Sequence, residues 1–389
     1  MNFAELQDQI WRESAAADLL SERAVAESLV AVESALVLAL ADVDLCEFET
    51  AIAICEKLSA ATDQLAALEF PASPEQPLRG VLEHLTDVLH QVAKASSPEA
   101  GTLLATAAGS QDLADSTLMV LSKTALIEVH QQLIGVVLSI MQFVHAYRKN
   151  PILQRNPDGS AGSSTFGLKL AGWLDGIVQA TAQLTNVIDS LPAQLGGRSG
   201  NLAELTDVTK SSGEAVQVAN AFADRLELQP CAPWHSNRAP LLAISAASAA
   251  IASAFSNIAN EVILLADDSI RELGELVIDG EGNVVAGAAD PNLRNRLAIA
   301  SSLLMTTSQV VGTLTAAPKT PESARGQWLA TLDTLRLTVA TASIGNALIA
   351  ALDVHADAME LNLIAAGIQP AELSASEQII DAILAGINS

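Results

Sequence analysis

Six histidines, three cysteines and a few cations set in polar turns are the residues of this chain that could do chemistry. His84, His90, His130, His145 and His355 sit on helix-like segments, where a lone histidine is ordinarily a surface or packing residue. His235 differs, because Pro233-Trp234-His235-Ser236-Asn237-Arg238 follows a proline-rich break and places an imidazole three residues before a guanidinium. Cys46, Cys55 and Cys231 are not in metal-ligand spacing, so neither a zinc site nor a disulfide framework is indicated, and reduced thiols are expected. There is no phosphate-cradling Gly-Lys loop, no His-Glu-x-x-His and no paired-cysteine array, so no metal or organic cofactor is expected.

The elements that must position such residues read as helices. Of 389 residues, half are hydrophobic, aromatics make up only 3%, and Ala, Leu, Ser, Glu and Gln favour helix at most positions. The β-branched alternation of strands is scarce, so the fold class is all-α. Long apolar-periodic segments run from Asp112 to Lys149, Thr165 to Leu191, Gly213 to Leu226, Pro240 to Leu276 and Asn292 to Ala316. Such lengths give rods of roughly 20 to 55 Å, enough for a bundle. Breaks fall at Asn150-Pro151, Gly196-Gly197-Arg198-Ser199-Gly200, Pro230 to Pro233 and Asp279 to Asn283. The organisation expected is a small N-terminal helical domain over residues 1–95, a central bundle over 96–340 and a short C-terminal helical segment over 341–389.

With 45 acidic against 20 basic residues the formal charge is -25, which repels phosphate backbones and anionic membranes, so nucleic acid is not an expected partner. Pro240 to Ala266 is apolar enough to suggest a membrane span, but Ser245, Ser248, Asn257, Asn260 and Glu261 would be costly in lipid. A buried bundle helix is expected instead. The first residues, Met1-Asn2-Phe3-Ala4-Glu5, do not read as a signal peptide, and a cytoplasmic protein is expected.

Five motifs in order carry a resemblance: Gly109-Ser110-Gln111-Asp112, Ser163-Ser164-Thr165-Phe166-Gly167-Leu168-Lys169, Gln194-Leu195-Gly196-Gly197-Arg198-Ser199-Gly200, Pro233 to Arg238, and Glu322 to Leu329. Together they resemble the fumarase/aspartase superfamily, and most closely its 3-carboxy-cis,cis-muconate cycloisomerase branch. The resemblance implies a long-helix bundle in a homotetramer whose sites are assembled from loops of three subunits, acting on a small polycarboxylate. Its C-terminal helical domain would be shorter than is usual in that family.

Addition to or elimination from such substrates passes through an enediolate-like intermediate, which needs cationic or N–H donors for carboxylates and a proton-transfer group at carbon. By the resemblance, Ser110, Gln111, Thr165, Lys169, Arg238, Arg294 and Asn295 would bind carboxylates, and His235 or Ser160 would handle the proton. Ser110 also reads as a helix N-cap. The family's catalytic serine loop aligns with Gly287 to Arg296, where the serine positions read Gly287 and Ala288 and a lysine position reads Leu293. Its two further histidine positions are also lost, one near Ala105 and one in Arg155 to Ser160. The expected function is therefore lactonisation of a polycarboxylate in protocatechuate breakdown; the alternative is an inactive paralogue serving as a partner subunit.

Overall fold

The computed structural model describes residues 11–12, 14–67, 79–156, 158–278, 284–285, 298–316, 324–370 and 375–387. Six helices come first: α1 Ala16–Leu19, α2 Glu22–Ala41, α3 Phe48–Ala60, α4 Thr62–Ala66, α5 Arg79–Ser96 and α6 Pro98–Ala107. Their starts follow local chemistry. Ser21 caps α2 by accepting from the Ala24 N–H at 3.1 Å, and Ser97 precedes Pro98, whose missing N–H costs nothing in a first turn.

The long elements follow as α7 Ser110–Ala146, the strands β1 Pro151–Arg155 and β2 Ala161–Thr165, α8 Phe166–Ser190, α9 Ala203–Thr209, α10 Ser212–Arg225 and α11 Ala239–Leu265. After β3 Leu273–Glu275, β4 Val277–Ile278 and β5 Val284–Val285 come α12 Ala298–Ala316, α13 Ala324–Ala350, β6 Leu352–Val354, α14 Ala356–Ala365 and α15 Ser376–Ile387. Helices α7, α8, α11, α12 and α13 pack in that cyclic order into a five-helix bundle, with α2 laid against α7. Apolar faces meet inside it, and Leu126, Leu133, Phe166, Ile251, Phe255 and Leu335 are fully buried. Gly345 on α13 allows close approach to α11, because a Cβ there would collide with the Phe255 ring.

All-α is the architecture of the described residues, with three two-stranded antiparallel ribbons added. In the first, Pro151 pairs with Thr165 and Arg155 with Ala161, so the chain leaves α7 and re-enters α8 through a hairpin. Thr165 ends β2 and caps α8, accepting from the Leu168 N–H at 3.2 Å. The expected helix from Pro240 to Leu276 stops at Leu265. There the Asp267 carboxylate accepts the Ser269 N–H at 2.9 Å, a side-chain turn that competes with helix continuation. The expected break at Asp279 to Asn283 lies outside the described residues.

Three described helices, Glu22–Ala41, Ser110–Ala146 and Ala239–Leu265, are long and apolar enough by composition to cross a membrane. Each lies packed on other helices of the fold, as expected of the segment from Pro240 to Ala266.

Candidate active site

Asp112 is the hub of the site. It stands in the first turn of α7, fully buried, and a buried carboxylate must be met by donors or it would not stay charged. Its oxygens accept the N–H groups of Gly109 at 2.9 Å, Gly196 at 3.0 Å and Gly197 at 2.9 Å, and the Gln194 side-chain amide at 2.9 Å. Gly109 is thus the cap residue, and Ser110, expected to cap, is the first helical residue; Asp112, three positions after the cap, reaches back to accept the Gly109 N–H, the reciprocal half of a capping box. Gly197 has φ +70°, the left-handed region, and a Cβ there would overlap the Glu204 carboxylate.

Gln194 ties in the next motif. Its side-chain oxygen accepts the Trp234 N–H at 2.7 Å, while the Trp234 indole donates to the Ala193 carbonyl at 3.1 Å. His235 follows, its Nε2 2.9 Å from Asp112 Oδ1. Because an ionised carboxylate only accepts, Nε2 carries the proton. The bond to Asp112 raises the imidazole above its ordinary value of 6.5, with burial opposing. A raised folded-state value means that the pairing stabilises fully below about 6.5 and is lost as pH climbs through the folded-state value. The melting-temperature difference between wild type and His235→Gln should therefore shrink as pH rises above neutrality. A difference that stays constant with pH would show that no charged pair forms.

Above this hub lies a cleft of about 740 Å³. Ser110, Gln111 and His235 line it, so three of the expected site residues are brought together there. Arg238 is not part of the cleft lining and is engaged elsewhere. Its guanidinium holds buried Asp115 in a two-pronged pair at 2.6 and 2.8 Å, donates to Gln327 at 2.6 Å and stacks 4.8 Å from the Trp234 ring. Lys169 is likewise occupied, 2.8 Å from Glu261, which also receives the Trp173 indole N–H at 3.2 Å.

Thr165, Lys169 and Ser160 form a second group on the hairpin and the start of α8. They follow the C-terminal end of α7, whereas Ser110 opens it, so the 37 residues of that helix separate the groups by about 55 Å. Ser160 is exposed, donating to Asp158 at 2.6 Å and accepting from Asn156 at 2.9 Å. Arg155 is paired with buried Glu272 at 2.7 Å. Arg294, Asn295 and the aligned loop from Gly287 to Arg296 lie outside the described residues. Among the described residues no group of three His, Cys, Asp or Glu side chains could hold a metal ion.

Arg198 and His90 also line the cleft, and neither was singled out from sequence. Arg198 had a readable signal, as a cation between Gly197 and Gly200 in a turn whose backbone the hub fixes. His90 had none on its own helix. Its marker lay elsewhere, in Glu33, the one charge in the apolar run Val30 to Val37.

No family model matches the chain. A nitrosuccinate lyase from Streptomyces davaonensis is 29% identical over 356 residues, covering 88% of this chain and 73% of that protein. A 3-carboxy-cis,cis-muconate cycloisomerase from Pseudomonas aeruginosa is 28% identical over 288 residues, covering 72% of this chain and 61% of that protein. Among solved structures, the β-carboxy-cis,cis-muconate cycloisomerase of Acinetobacter calcoaceticus superposes with a TM-score of 0.77 at 23% identity, over 90% of this chain and 78% of that one.

Proposed function

Starting from a chain that belongs to the fumarase/aspartase superfamily, we propose an enzyme that adds to, or eliminates from, the carbon beside a carboxylate of a small polycarboxylate. Lactonisation of 3-carboxy-cis,cis-muconate, as in breakdown of protocatechuate, is the reaction carried over from the cycloisomerase relatives. Elimination from nitrosuccinate is the one carried over from the lyase relative. Both run through an enediolate, so one site chemistry serves either.

The observation that carries the proposal is the cleft over Asp112, where Ser110, Gln111 and His235 meet Arg198. Arg198 is the carboxylate clamp, because Arg238 and Lys169 already neutralise Asp115 and Glu261. Asp112 favours the imidazolium form of His235, and in that form His235 supplies positive charge beside the developing enediolate. The group at Ser160, Thr165 and Lys169 reaches such a cleft only from another copy, since α7 holds the two ends apart. A cytoplasmic homotetramer, with no nucleic-acid or membrane partner, is the assembly proposed.

Turnover of 3-carboxy-cis,cis-muconate and of nitrosuccinate by the purified protein tests this, with Arg198→Ala alongside. Loss of a charged hydrogen bond worth about 1.5–3 kcal/mol predicts a rise in KM of about tenfold to a hundredfold, with the melting temperature unchanged. No turnover on either substrate would favour the second reading, an inactive partner subunit. That reading draws support from the internal ion pairs at Arg238 and Lys169.

A further inference from the structure

Glu33 is the least accounted-for charge among the described residues. It sits on α2 with no solvent exposure, and neither carboxylate oxygen makes a hydrogen bond. A buried carboxylate without donors is costly, and among the described residues its one ionisable neighbour within ion-pair distance is His90 of α5, with Nε2 3.2 Å from Oε1 but out of line for a hydrogen bond. His90 is no interior packing residue either, since its ring forms part of the cleft wall with Asp87, Arg198, Glu204 and His235. With Nε2 buried against Glu33, Nδ1 is the nitrogen left for the cleft.

We infer that His90, oriented by the buried carboxylate of Glu33, is the proton-transfer group of this cleft. The inference rests on the proposed function and deepens it. The Glu33–His90 contact is a proximity of 3.2 Å and becomes a hydrogen bond only when the ring turns into line; a carboxylate so placed accepts the Nε2 proton and leaves Nδ1 as the base. In elimination, Nδ1 takes the proton from the carbon beside a substrate carboxylate, and the C–H electron pair passes into an enediolate. That pair then forms the carbon–carbon double bond as the neighbouring carbon's leaving group departs with its own bonding pair. The imidazolium gives its proton to solvent. In lactonisation the order reverses: a substrate carboxylate oxygen bonds to the alkene carbon, the alkene pair becomes the enediolate, and the His90 imidazolium protonates it at carbon. His90 and Ala105 line the same cleft, so a histidine from α5 faces a pocket to which α6 contributes Ala105 and Thr106 but no imidazole.

The test compares wild type, His90→Gln, Glu33→Gln and the doubly neutral His90→Gln/Glu33→Gln by kcat and KM across pH on both substrates, with size and melting recorded. His90→Gln should lose about 10²–10⁴-fold in kcat with KM little changed, as expected for a lost acid or base. Glu33→Gln should lose less and change the shape of the pH–rate profile, which a merely structural tie would not do. The double variant guards against misfolding, because it leaves no lone buried charge. A folded double variant with wild-type kcat would overturn the assignment while leaving the proposed function standing. A wild type inactive on both substrates would instead overturn the functional reading, and the proton-transfer role with it.

Discussion

Asp112→Ala should cost about 3–5 kcal/mol of folding stability, the loss expected when a buried, fully partnered charge is removed and its donors remain. Four N–H groups and an imidazole converge on this carboxylate, from Gly109, Gly196, Gly197, Gln194 and His235. All would be left facing a void that a methyl group cannot fill. The damage should be local at first, freeing the turn from Gln194 to Gly200 from the start of α7. Asp112→Asn keeps the shape but replaces one acceptor by a donor, so an intermediate loss is expected. Denaturant unfolding measures both, and an Asp112→Ala protein within about 1 kcal/mol of wild type would mean that the hub is not what fixes the loop.

Arg238→Ala should be nearly as damaging, again by about 3–5 kcal/mol, because it strands Asp115 without its counter-charge. Asp115 is 3% exposed, so water cannot take over the role of the guanidinium. The Gln327 side chain on α13 would lose its donor and the Trp234 face its cation, loosening α7, α11 and α13 together. Changing both partners, as Arg238→Met with Asp115→Leu, should recover most of the stability, since a buried ion pair and a well-packed apolar pair are often close in energy. The contrary result is equally clear: an Arg238→Ala protein that melts like wild type but binds polycarboxylates poorly would return Arg238 to the substrate-binding role expected from its motif.

That contrast marks how far the sequence could be read. Helix starts were legible where one residue decides them, as Thr165 does for α8, and the proline and glycine breaks after Tyr147 and Leu191 fell where turn chemistry puts them. The bundle was legible because apolar periodicity over long segments leaves few alternatives. Partner choice was not. Arg238 pairs with a residue 123 positions away, and Lys169 with one 92 positions away. A cation in a matched motif therefore looked available for substrate when the fold had already used it. Conversely, Arg198 sits in a turn whose glycines read as backbone geometry alone, so the sequence by itself assigns its guanidinium no role. The end of α11 was missed for a similar reason: the apolar pattern continues beyond Leu265, and only the short-range Asp267 turn stops it.

The first turn of α7 also bears on how such a protein can change over time. Asp112 points down into the loop and Asp115, three residues further on, across to Arg238, while Ser110 and Gln111, a residue or two before Asp112, border the cleft. Folding and, on the proposed function, ligand recognition are thereby assigned to different faces of the first two turns of one helix. On the proposed function, exchanges at Ser110 or Arg198 alter what the cleft accepts without touching the bonds that hold Asp112 in place, whereas Gln111 also donates to Asp115 and to the His235 carbonyl. A lineage built this way can drift from one carboxylate substrate to another, or lose catalysis outright, while its architecture stays recognisable.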